Sequence, residues 1–368
     1  MVRARLGLVA ALAAVLASST AMVPSAAYAG EDRDALQRRL DDVVPAGAIG
    51  ALAEVRTDRG VWRGTSGVAE IGTSREVPVR GSFRAGSVMK SFLATVVLQL
   101  VGEGRLRLDD SIERWLPGVV PGGDRITLRQ LLAHTSGLYD VVRTLPLPPD
   151  PRFVENRWHT WSATDLIERG LAQPPTHAPG AAFSYTSTGY LLLGQVVEEV
   201  TGATYAAEIE RRIIGPLHLR HTMLPGTSPW IPRPHPHGYA QVEGAAELVD
   251  VTEMNPSLFG AAGEIVSSAG DLNRFFAALL GGRLLPARLL AEMKTPGIPG
   301  ETYGLGLRWE DTSCGVPVYG HDGDAVAYQT WSFVTADGRR QATLAVTRSY
   351  EGDADDAAAE FIDQALCG

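Results

Sequence analysis

The chain has 368 residues, and 42 acidic residues outnumber 33 basic ones, giving a formal net charge of −9. An acidic chain without a basic run has no electrostatic footprint for nucleic acid or for an anionic membrane surface, which argues against both partners. The length exceeds the roughly 250–300 residues at which single cores stop growing, so two packed lobes are expected.

The first 29 residues have the features of a secretory signal peptide. Arg3 and Arg5 precede an apolar run over residues 6–16, and residues 27–29 read Ala-Tyr-Ala, a small-x-small cleavage site. The apolar run is too short to span a bilayer, and no later stretch offers ~20 uninterrupted apolar residues. We therefore expect a secreted, extracellular protein of residues 30–368 without a stable membrane anchor.

Strand patterns lie near both ends of the remaining chain, and helix patterns lie between them. Residues 49–63 alternate around a turn at 58–60, which predicts a β-hairpin. Apolar residues then recur at helical spacing over 87–101, 163–171, 190–201 and 269–280. A second hairpin pattern turns at Asp337-Gly338 within residues 328–347, and 353–366 reads as a final helix with an acidic start.

This order predicts an α+β fold in two lobes. Strand patterns at both ends imply one antiparallel sheet, so residues 30–85 and 300–368 are assigned to a sheet lobe and residues 86–299 to an all-helical lobe. The chain has two cysteines, Cys314 and Cys367. In an exported protein an even count favours one structural disulfide over a catalytic thiol.

A Ser-x-x-Lys pattern opens the first long helix. The three-residue spacing puts Ser87 and Lys90 on one helix face, about 5 to 6 Å apart at Cβ. A serine there also presents its own N–H to a developing oxyanion. Lysine can act as a base only by losing its proton, which arginine cannot do.

The composition strengthens a catalytic interpretation of Lys90. The chain contains two lysines, Lys90 and Lys294, among its 33 basic residues. Lysine is thus kept where the chemistry forbids arginine. The structural alternative is a helix N-cap serine followed by a solvated lysine, and Ser-x-x-Lys alone does not exclude it.

Two further motifs follow in order, Tyr185-Thr186-Ser187 and His321-Asp322-Gly323. With the Ser-x-x-Lys they resemble the serine β-lactamase and penicillin-binding superfamily, whose second motif is Tyr-x-Asn or Ser-x-Asn and whose third is Lys-Thr-Gly or His-x-Gly. Residues 131–138 and 303–307 also look like the family. The resemblance implies a β-lactamase/DD-peptidase-like fold: a five-stranded antiparallel sheet flanked by helices, an all-helical lobe, and an active site between them.

The nearest likeness is to secreted actinomycete D-alanyl-D-alanine carboxypeptidases, which share both cysteine positions and Arg308. The resemblance implies that Ser87 attacks the carbonyl and that Lys90 accepts its proton. Tyr185 would relay a proton to the leaving amine, and His321 would orient Tyr185 or its proton.

The resemblance also implies substrate-binding positions. The backbone N–H groups of Ser87 and Asp324 would form the oxyanion hole beside Gly323. Arg308 would bind the substrate's C-terminal carboxylate, and Ser187 would contact the substrate. The expected substrate is a peptidoglycan stem peptide or another small acyl compound, and β-lactams would acylate the enzyme.

No cofactor or metal is expected, since no recognised ligand spacing is completed by His218, His221, His235 and His237. A monomer is expected.

Three departures from the family pattern leave the substrate open. Ser187 replaces the asparagine amide, Asp322 replaces the usual threonine, and Asp324 adds a second acid that should repel a carboxylate. An esterase, a D-amino-acid amidase or peptidase and a β-lactamase are alternatives within the family. A non-catalytic penicillin-binding or cell-wall-binding protein is the alternative of another class, and the retained Lys90 argues against it.

Overall fold

The structure is a computed structural model that describes residues 30–367, so the expected signal peptide lies outside the described residues. The helices are α1 (Gly30–Gly47), α2 (Met89–Gly102), α3 (Ile112–Trp115), α4 (Leu128–Leu132), α5 (Arg152–Asn156), α6 (Ala163–Leu171), α7 (Ser187–Thr201), α8 (Tyr205–Ile209), α9 (Gly215–Leu217), α10 (Ala269–Leu280), α11 (Ala287–Lys294) and α12 (Asp355–Cys367). The strands are β1 (Ala48–Thr57), β2 (Gly60–Gly67), β3 (Phe83–Arg84), β4 (Tyr239–Ala240), β5 (Val249–Asp250), β6 (Val266–Ser267), β7 (Arg308–Asp311), β8 (Pro317–Ala325), β9 (Tyr328–Thr335) and β10 (Gln341–Arg348).

Strands from both ends of the chain form one antiparallel sheet. Its order is β2-β1-β10-β9-β8-β7, and it contains both predicted hairpins. The central pairing joins β1 to β10, with Leu52 opposite Ala345. Among the described residues the sheet has six strands, one more than expected. The additional strand, β7, is four residues long and pairs with β8 at the sheet edge, so its sequence is too short to show an alternating pattern.

Both faces of the sheet are covered by helices, as expected. On one face α1 and α12 pack over Ala51 and Leu344, and Trp62 meets Phe361 at 6.0 Å between ring centroids. On the other face α10 packs against β1, β9 and β10. The sequence had assigned α10 to the helical lobe. Its apolar stripe, which includes Phe275, instead joins the two lobes because it is long enough to contact the sheet and α2 together.

The helical lobe is organised around α2. Residues 89–98 are all buried, and Phe92 stacks on Phe275 with ring centroids 3.7 Å apart. Helices α7 and α8 pack against α2, and α4 packs against α7. The four middle helices predicted from apolar spacing are present as α2, α6, α7 and α10. The central position of α2 anchors the residues at its start in the core.

The predicted disulfide is confirmed. Cys314, in the β7–β8 connection, is bonded to Cys367 at the end of α12, with a Cα–Cα distance of 5.9 Å. This bond ties the sheet edge to the last helix across 53 residues of sequence. Among residues 30–367, no helix has the length and apolar character needed to cross a bilayer.

Candidate active site

Ser87 lies in a short 3-10 helix, Gly86–Val88, that leads directly into α2. Gly86 has φ +55°, and a Cβ at this position would lie 2.4 Å from the carbonyl oxygen of Asp324. The left-handed conformation and the close contact with β8 both require glycine. Ser87 is partly exposed, whereas its neighbours Gly86 and Val88 are buried. The serine is therefore accessible at a turn whose flanking residues are packed in the core.

Lys90 is fully buried and in contact with Ser87. Its Nζ donates hydrogen bonds to the Oγ of Ser87 at 3.0 Å and to the carbonyl oxygen of Ala262 at 2.9 Å. Burial lowers the pKa of Lys90 to about 7, and the charges of Asp140 and Asp322 oppose this shift. A substantial fraction of the amine is therefore neutral near pH 7 and can accept the serine proton. This geometry excludes the alternative of a solvated lysine beside a helix cap.

Tyr185 lies beside Ser87 and Lys90, as the order of the three motifs predicts. Burial raises its pKa well above the usual value, although a hydrogen bond with Ser87 lowers it in part. The Nζ of Lys90 lies 4.9 Å from the centre of the Tyr185 ring. Tyr185 is thus a protonated phenol at neutral pH, suited to give a proton to a leaving group rather than to start as a phenolate.

The predicted oxyanion donors, the N–H groups of Ser87 and Asp324, lie where two backbones touch. A Cβ on Gly323 would lie 2.0 Å from the carbonyl oxygen of Ala85 and 3.1 Å from the nitrogen of Ser87. A Cβ on Gly86 would lie 2.9 Å from the nitrogen of Asp324. Two glycines therefore let the backbone of β8 lie directly against the turn that holds Ser87, as an oxyanion hole formed by these two donors requires.

His321 does not orient Tyr185 directly, in contrast to the expectation. It is buried, and its Nδ1 bonds to the carbonyl oxygen of Asp322, so the Nε2 accepts from the hydroxyl of Tyr303 at 2.8 Å. The ring centroids of His321 and Tyr185 are 6.4 Å apart. Burial lowers the pKa of His321 to about 4, opposed chiefly by Asp322. The Nε2 of the neutral imidazole is bonded to the Tyr303 hydroxyl, so His321 orients Tyr303 and not Tyr185.

His134, for which the sequence gave no catalytic role, holds the Tyr185 segment in place. It is fully buried with φ +56°, and its Nδ1 accepts the backbone N–H of Thr186 at 3.1 Å. Its ring centroid lies 4.1 Å from that of Tyr185. Burial lowers its pKa well below the usual value, so the ring is neutral and its Nε2 carries the proton. His134 is thus a positioning residue for Tyr185.

Two aspartates of β8 each form an ion pair with an arginine of another strand, Asp322 with Arg308 of β7 and Asp324 with Arg348 of β10. Arg308 donates from Nη1 to Oδ1 of Asp322 at 2.9 Å and lies 3.5 Å from Glu310. Arg348 donates to Oδ2 of Asp324 at 2.8 Å. The guanidinium predicted to bind a substrate carboxylate therefore already binds the carboxylate that this chain has in place of the usual threonine.

The site opens into a cavity of about 200 Å³. Its polar lining is Ser87, Asp140, Tyr185, Ser187 and Asp324, and its apolar lining includes Val142, Leu147, Pro148, Phe259, Val326 and Tyr350. Ser187 begins α7 and donates its N–H to Oδ1 of Asp140 at 2.9 Å.

Besides the role of His134, three site components were not predicted from the sequence: Asp140, Tyr303 and the carbonyl of Ala262. Asp140 follows the family-like segment 131–138 by two residues, and Tyr303 opens the family-like segment 303–307. Their place beside or within these segments is the signal that the sequence carries for both residues. Their contacts with Ser187 and His321 depend on tertiary approach, which sequence spacing does not reveal.

Comparison with known proteins agrees with this geometry. Residues 36–366 match the Beta-lactamase family. A D-stereospecific amidohydrolase from Streptomyces sp. superposes with a TM-score of 0.81 at 40% identity, covering 89% of this chain and 97% of that one. A D-amino acid amidase from Ochrobactrum anthropi SV3, in complex with L-phenylalanine amide, gives a TM-score of 0.78 at 26% identity, with 91% and 97% covered.

Penicillin-binding proteins are also among the relatives. Penicillin-binding protein 4 of Amycolatopsis lactamdurans is 31% identical over 296 residues, which is 74% of each chain. Other relatives are longer, and the chain spans 53% of the length of a putative penicillin-binding protein of Bacillus subtilis that is 31% identical over 227 residues.

Proposed function

Because the chain belongs to the beta-lactamase family, we propose that it is a serine hydrolase of D-amino acid amides that works through an acyl-enzyme on Ser87. The observation that carries the substrate class is the Arg308–Asp322 ion pair at 2.9 Å. A carboxypeptidase needs a free cation for the substrate's terminal carboxylate, whereas an amide has no carboxylate to bind. The D configuration is supported by the likeness to the Streptomyces and Ochrobactrum enzymes.

The reaction follows from the site geometry. Lys90, as the neutral amine, takes the proton of Ser87 while Oγ attacks the amide carbonyl, and the oxyanion is held by the N–H groups of Ser87 and Asp324. The C–N bond then breaks as Tyr185 donates its proton to the nitrogen, so that ammonia leaves. Water then attacks the ester carbonyl and gives one proton to the Tyr185 phenolate. As the bond from the carbonyl carbon to Oγ breaks, Lys90 returns its proton to Oγ, so the D-amino acid leaves and Ser87, Lys90 and Tyr185 are regenerated.

The D-alanyl-D-alanine carboxypeptidase expected from the sequence is the second candidate. The similarity to Penicillin-binding protein 4 favours it. For this activity a substrate carboxylate has to displace Asp322 from Arg308, and the carboxylate of Asp140 also lines the cavity. The cost of removing one partner from an existing ion pair disfavours the stem peptide relative to an uncharged amide.

The deciding experiment measures product release from matched substrates. Purified protein is incubated with D-phenylalanine amide, L-phenylalanine amide and an N-acylated peptide ending in D-alanyl-D-alanine, with Ser87→Ala as the control. We expect ammonia from the D-amide at least tenfold faster than from the L-amide, and neither product from Ser87→Ala. Faster release of D-alanine than of ammonia would instead identify a carboxypeptidase. Binding of penicillin without turnover of any acyl substrate would identify a non-catalytic protein.

The expected secretion also remains a proposal. It is supported by the signal-peptide pattern of residues 1–29 and by the Cys314–Cys367 disulfide, which is typical of an oxidising compartment. The N-terminal sequence of protein recovered from culture medium tests it. We expect Gly30 as the first residue, and retention of residues 1–29 in a cell-bound protein would contradict the proposal.

A further inference from the structure

Two carboxylates line the site cavity, and they differ in how they are paired. Asp324 is bonded to Arg348 at 2.8 Å and also accepts the N–H of Val326 at 3.0 Å. Asp140 lines the same cavity, and among the described residues it has no Lys, Arg or His side chain within ion-pair distance. Asp324 therefore already has a cation of the chain as its partner, whereas Asp140 forms no ion pair among the described residues and acts on the buried Lys90 only at longer range.

The Asp140 carboxylate is also fixed in orientation. Its Oδ1 accepts the N–H of Ser187 at 2.9 Å and the N–H of Val142 at 3.3 Å. Within residues 30–367 its Oδ2 accepts no hydrogen bond. One oxygen thus holds the carboxylate at the start of α7, and the other is left to accept from a ligand. A pre-positioned, half-buried carboxylate binds a cation with little loss of side-chain entropy.

Ser187 leaves room for such a ligand. It lies between Asp140 and the Tyr185 segment and lines the cavity with them. The second motif of the superfamily pattern has an asparagine at this position, and the larger amide of asparagine would fill part of the space beside Asp140. The short serine hydroxyl instead offers a small acceptor next to the carboxylate, and oxygen acceptors are what the three N–H donors of an ammonium group require.

We propose that Asp140 binds the free α-ammonium group of the substrate, so that the enzyme selects unblocked D-amino acid derivatives. The inference rests on the proposed function. The acyl carbon is held at Ser87, the ammonium at Asp140, and the side chain against the apolar wall that includes Phe259 and Tyr350. Three different attachment points around one Cα are what distinguishes two enantiomers, so the same arrangement accounts for stereoselectivity.

The test compares two substrates that differ only in the ammonium. D-phenylalanine amide and 3-phenylpropanamide share the acyl chain and the leaving group, and the second lacks the amine. We expect the ratio of their kcat/KM values to exceed about 100 in the wild type and to fall at least tenfold in Asp140→Asn. Asparagine keeps an oxygen acceptor for Ser187 and Val142, so this variant removes the charge while retaining the cap. Asp165→Asn is the matched control and keeps the wild-type ratio, because Asp165 is an exposed residue whose side chain accepts the N–H of the N-cap Ser162 at the start of α6.

A pH profile gives a second readout that a structural role would not move. Above the roughly 7.7–8.0 at which an α-amino group loses its proton, the KM for D-phenylalanine amide should rise in the wild type but not in Asp140→Asn. The KM for 3-phenylpropanamide should show no such rise in either protein.

The outcomes separate the two proposals. If Asp140→Asn slows both amides equally and leaves their ratio unchanged, Asp140 is only a cap and the inference is overturned, while the amidase proposal stands. If neither amide is hydrolysed, the amidase proposal fails, and the methyl esters of the same two acids then test the ammonium site. An unchanged ester ratio in Asp140→Asn overturns the inference, and a tenfold fall upholds it for an esterase.

Discussion

Arg308 and Asp322 form an ion pair across the edge of the main sheet, with Nη1 of the arginine 2.9 Å from Oδ1 of the aspartate. The pair lies beside Gly323, whose backbone contacts the turn at Ala85–Ser87. The pKa of Asp322 is lowered because His321 and Arg308 together outweigh the effect of burial, so the carboxylate stays ionised and holds the arginine. A substrate carboxylate therefore competes with a residue of the chain itself.

Replacing Asp322 by threonine should redirect the site towards carboxylate-bearing ligands. Asp322→Thr frees the guanidinium of Arg308 for the carboxylate of benzylpenicillin. Because a charge-assisted hydrogen bond contributes about 1.5–3 kcal/mol, the acylation rate should rise roughly ten- to hundredfold. Intact-mass kinetics of the Ser87 adduct measure this rate. An acylation rate equal to that of the wild type would show that Arg308 does not contact the ligand.

The pH dependence of acylation should follow the ionisation of Lys90. Its pKa of about 7 means that the reactive neutral amine is lost below that pH, so kcat/KM for an uncharged ester should rise with a midpoint near pH 7. In Asp140→Asn the midpoint should move to lower pH, since the Asp140 charge raises this pKa.

Lys90→Arg should lose at least about a thousandfold in kcat because arginine stays protonated. A pH-independent rate from 5 to 9 would rule out this role for Lys90.

The backbone contact at the oxyanion hole should not tolerate a side chain. In Gly323→Ala the new Cβ would lie 2.0 Å from the carbonyl oxygen of Ala85, so β8 has to move away from Ser87. Loss of one oxyanion donor lowers kcat by roughly 10²–10³-fold, and we expect a loss of that size. Gly189→Ala, whose Cβ would meet neighbours at 3.4 Å or more inside α7, is the control with near wild-type kcat. Equal effects of the two changes would argue against the predicted hole.

The stability of the fold should fall as the pH rises through the titration of Glu264. This buried carboxyl accepts the hydroxyl of Tyr205 at 2.6 Å, and burial raises its pKa from 4.5 to about 7. The folded state thus holds a proton that the unfolded state has already lost, so the contribution is complete below pH 4.5 and disappears through pH 7. The free energy of unfolding should drop by on the order of 3 kcal/mol over this interval.

Urea unfolding at pH 5 and pH 8 measures this contribution. In Glu264→Gln the side chain is neutral at both pH values, so the difference between them should shrink. The exposed Glu247→Gln variant is the control and should retain the wild-type difference. A difference that is the same in Glu264→Gln and the wild type would assign the pH dependence to other groups.

The sequence predicted the secondary structure correctly where the elements are long and amphipathic. The 12 residues of α10 and the 9 residues of α6 match the predicted ranges, because repeated apolar residues at helical spacing bury one face of each helix. The short strands β3, β6 and β7 were not predicted. Two to four residues cannot show a period, and their pairing is imposed by neighbouring parts of the fold.

The candidate site was predictable to the level of residue types and order. Ser87 and Lys90 could be paired because their contact is local, within one helical turn. The partners of His321 and Arg308 could not be derived, since Tyr303 and Asp322 reach them only through strand and loop packing. Asp140 was missed for the same reason, as its partner Ser187 is 47 residues away.

The burial of Lys90 also makes the protein suited to attachment through amines. Of the two lysines in the sequence, Lys90 is enclosed in the core, whereas Lys294 is half-buried at the end of α11 with its Nζ 4.3 Å from the centre of the Tyr319 ring. Burial lowers the pKa of Lys294, so more of its free amine is present near neutral pH. Amine-reactive coupling would thus modify Lys294 in preference to Lys90, so immobilised or fluorescently labelled protein should keep the contact between Ser87 and Lys90 intact.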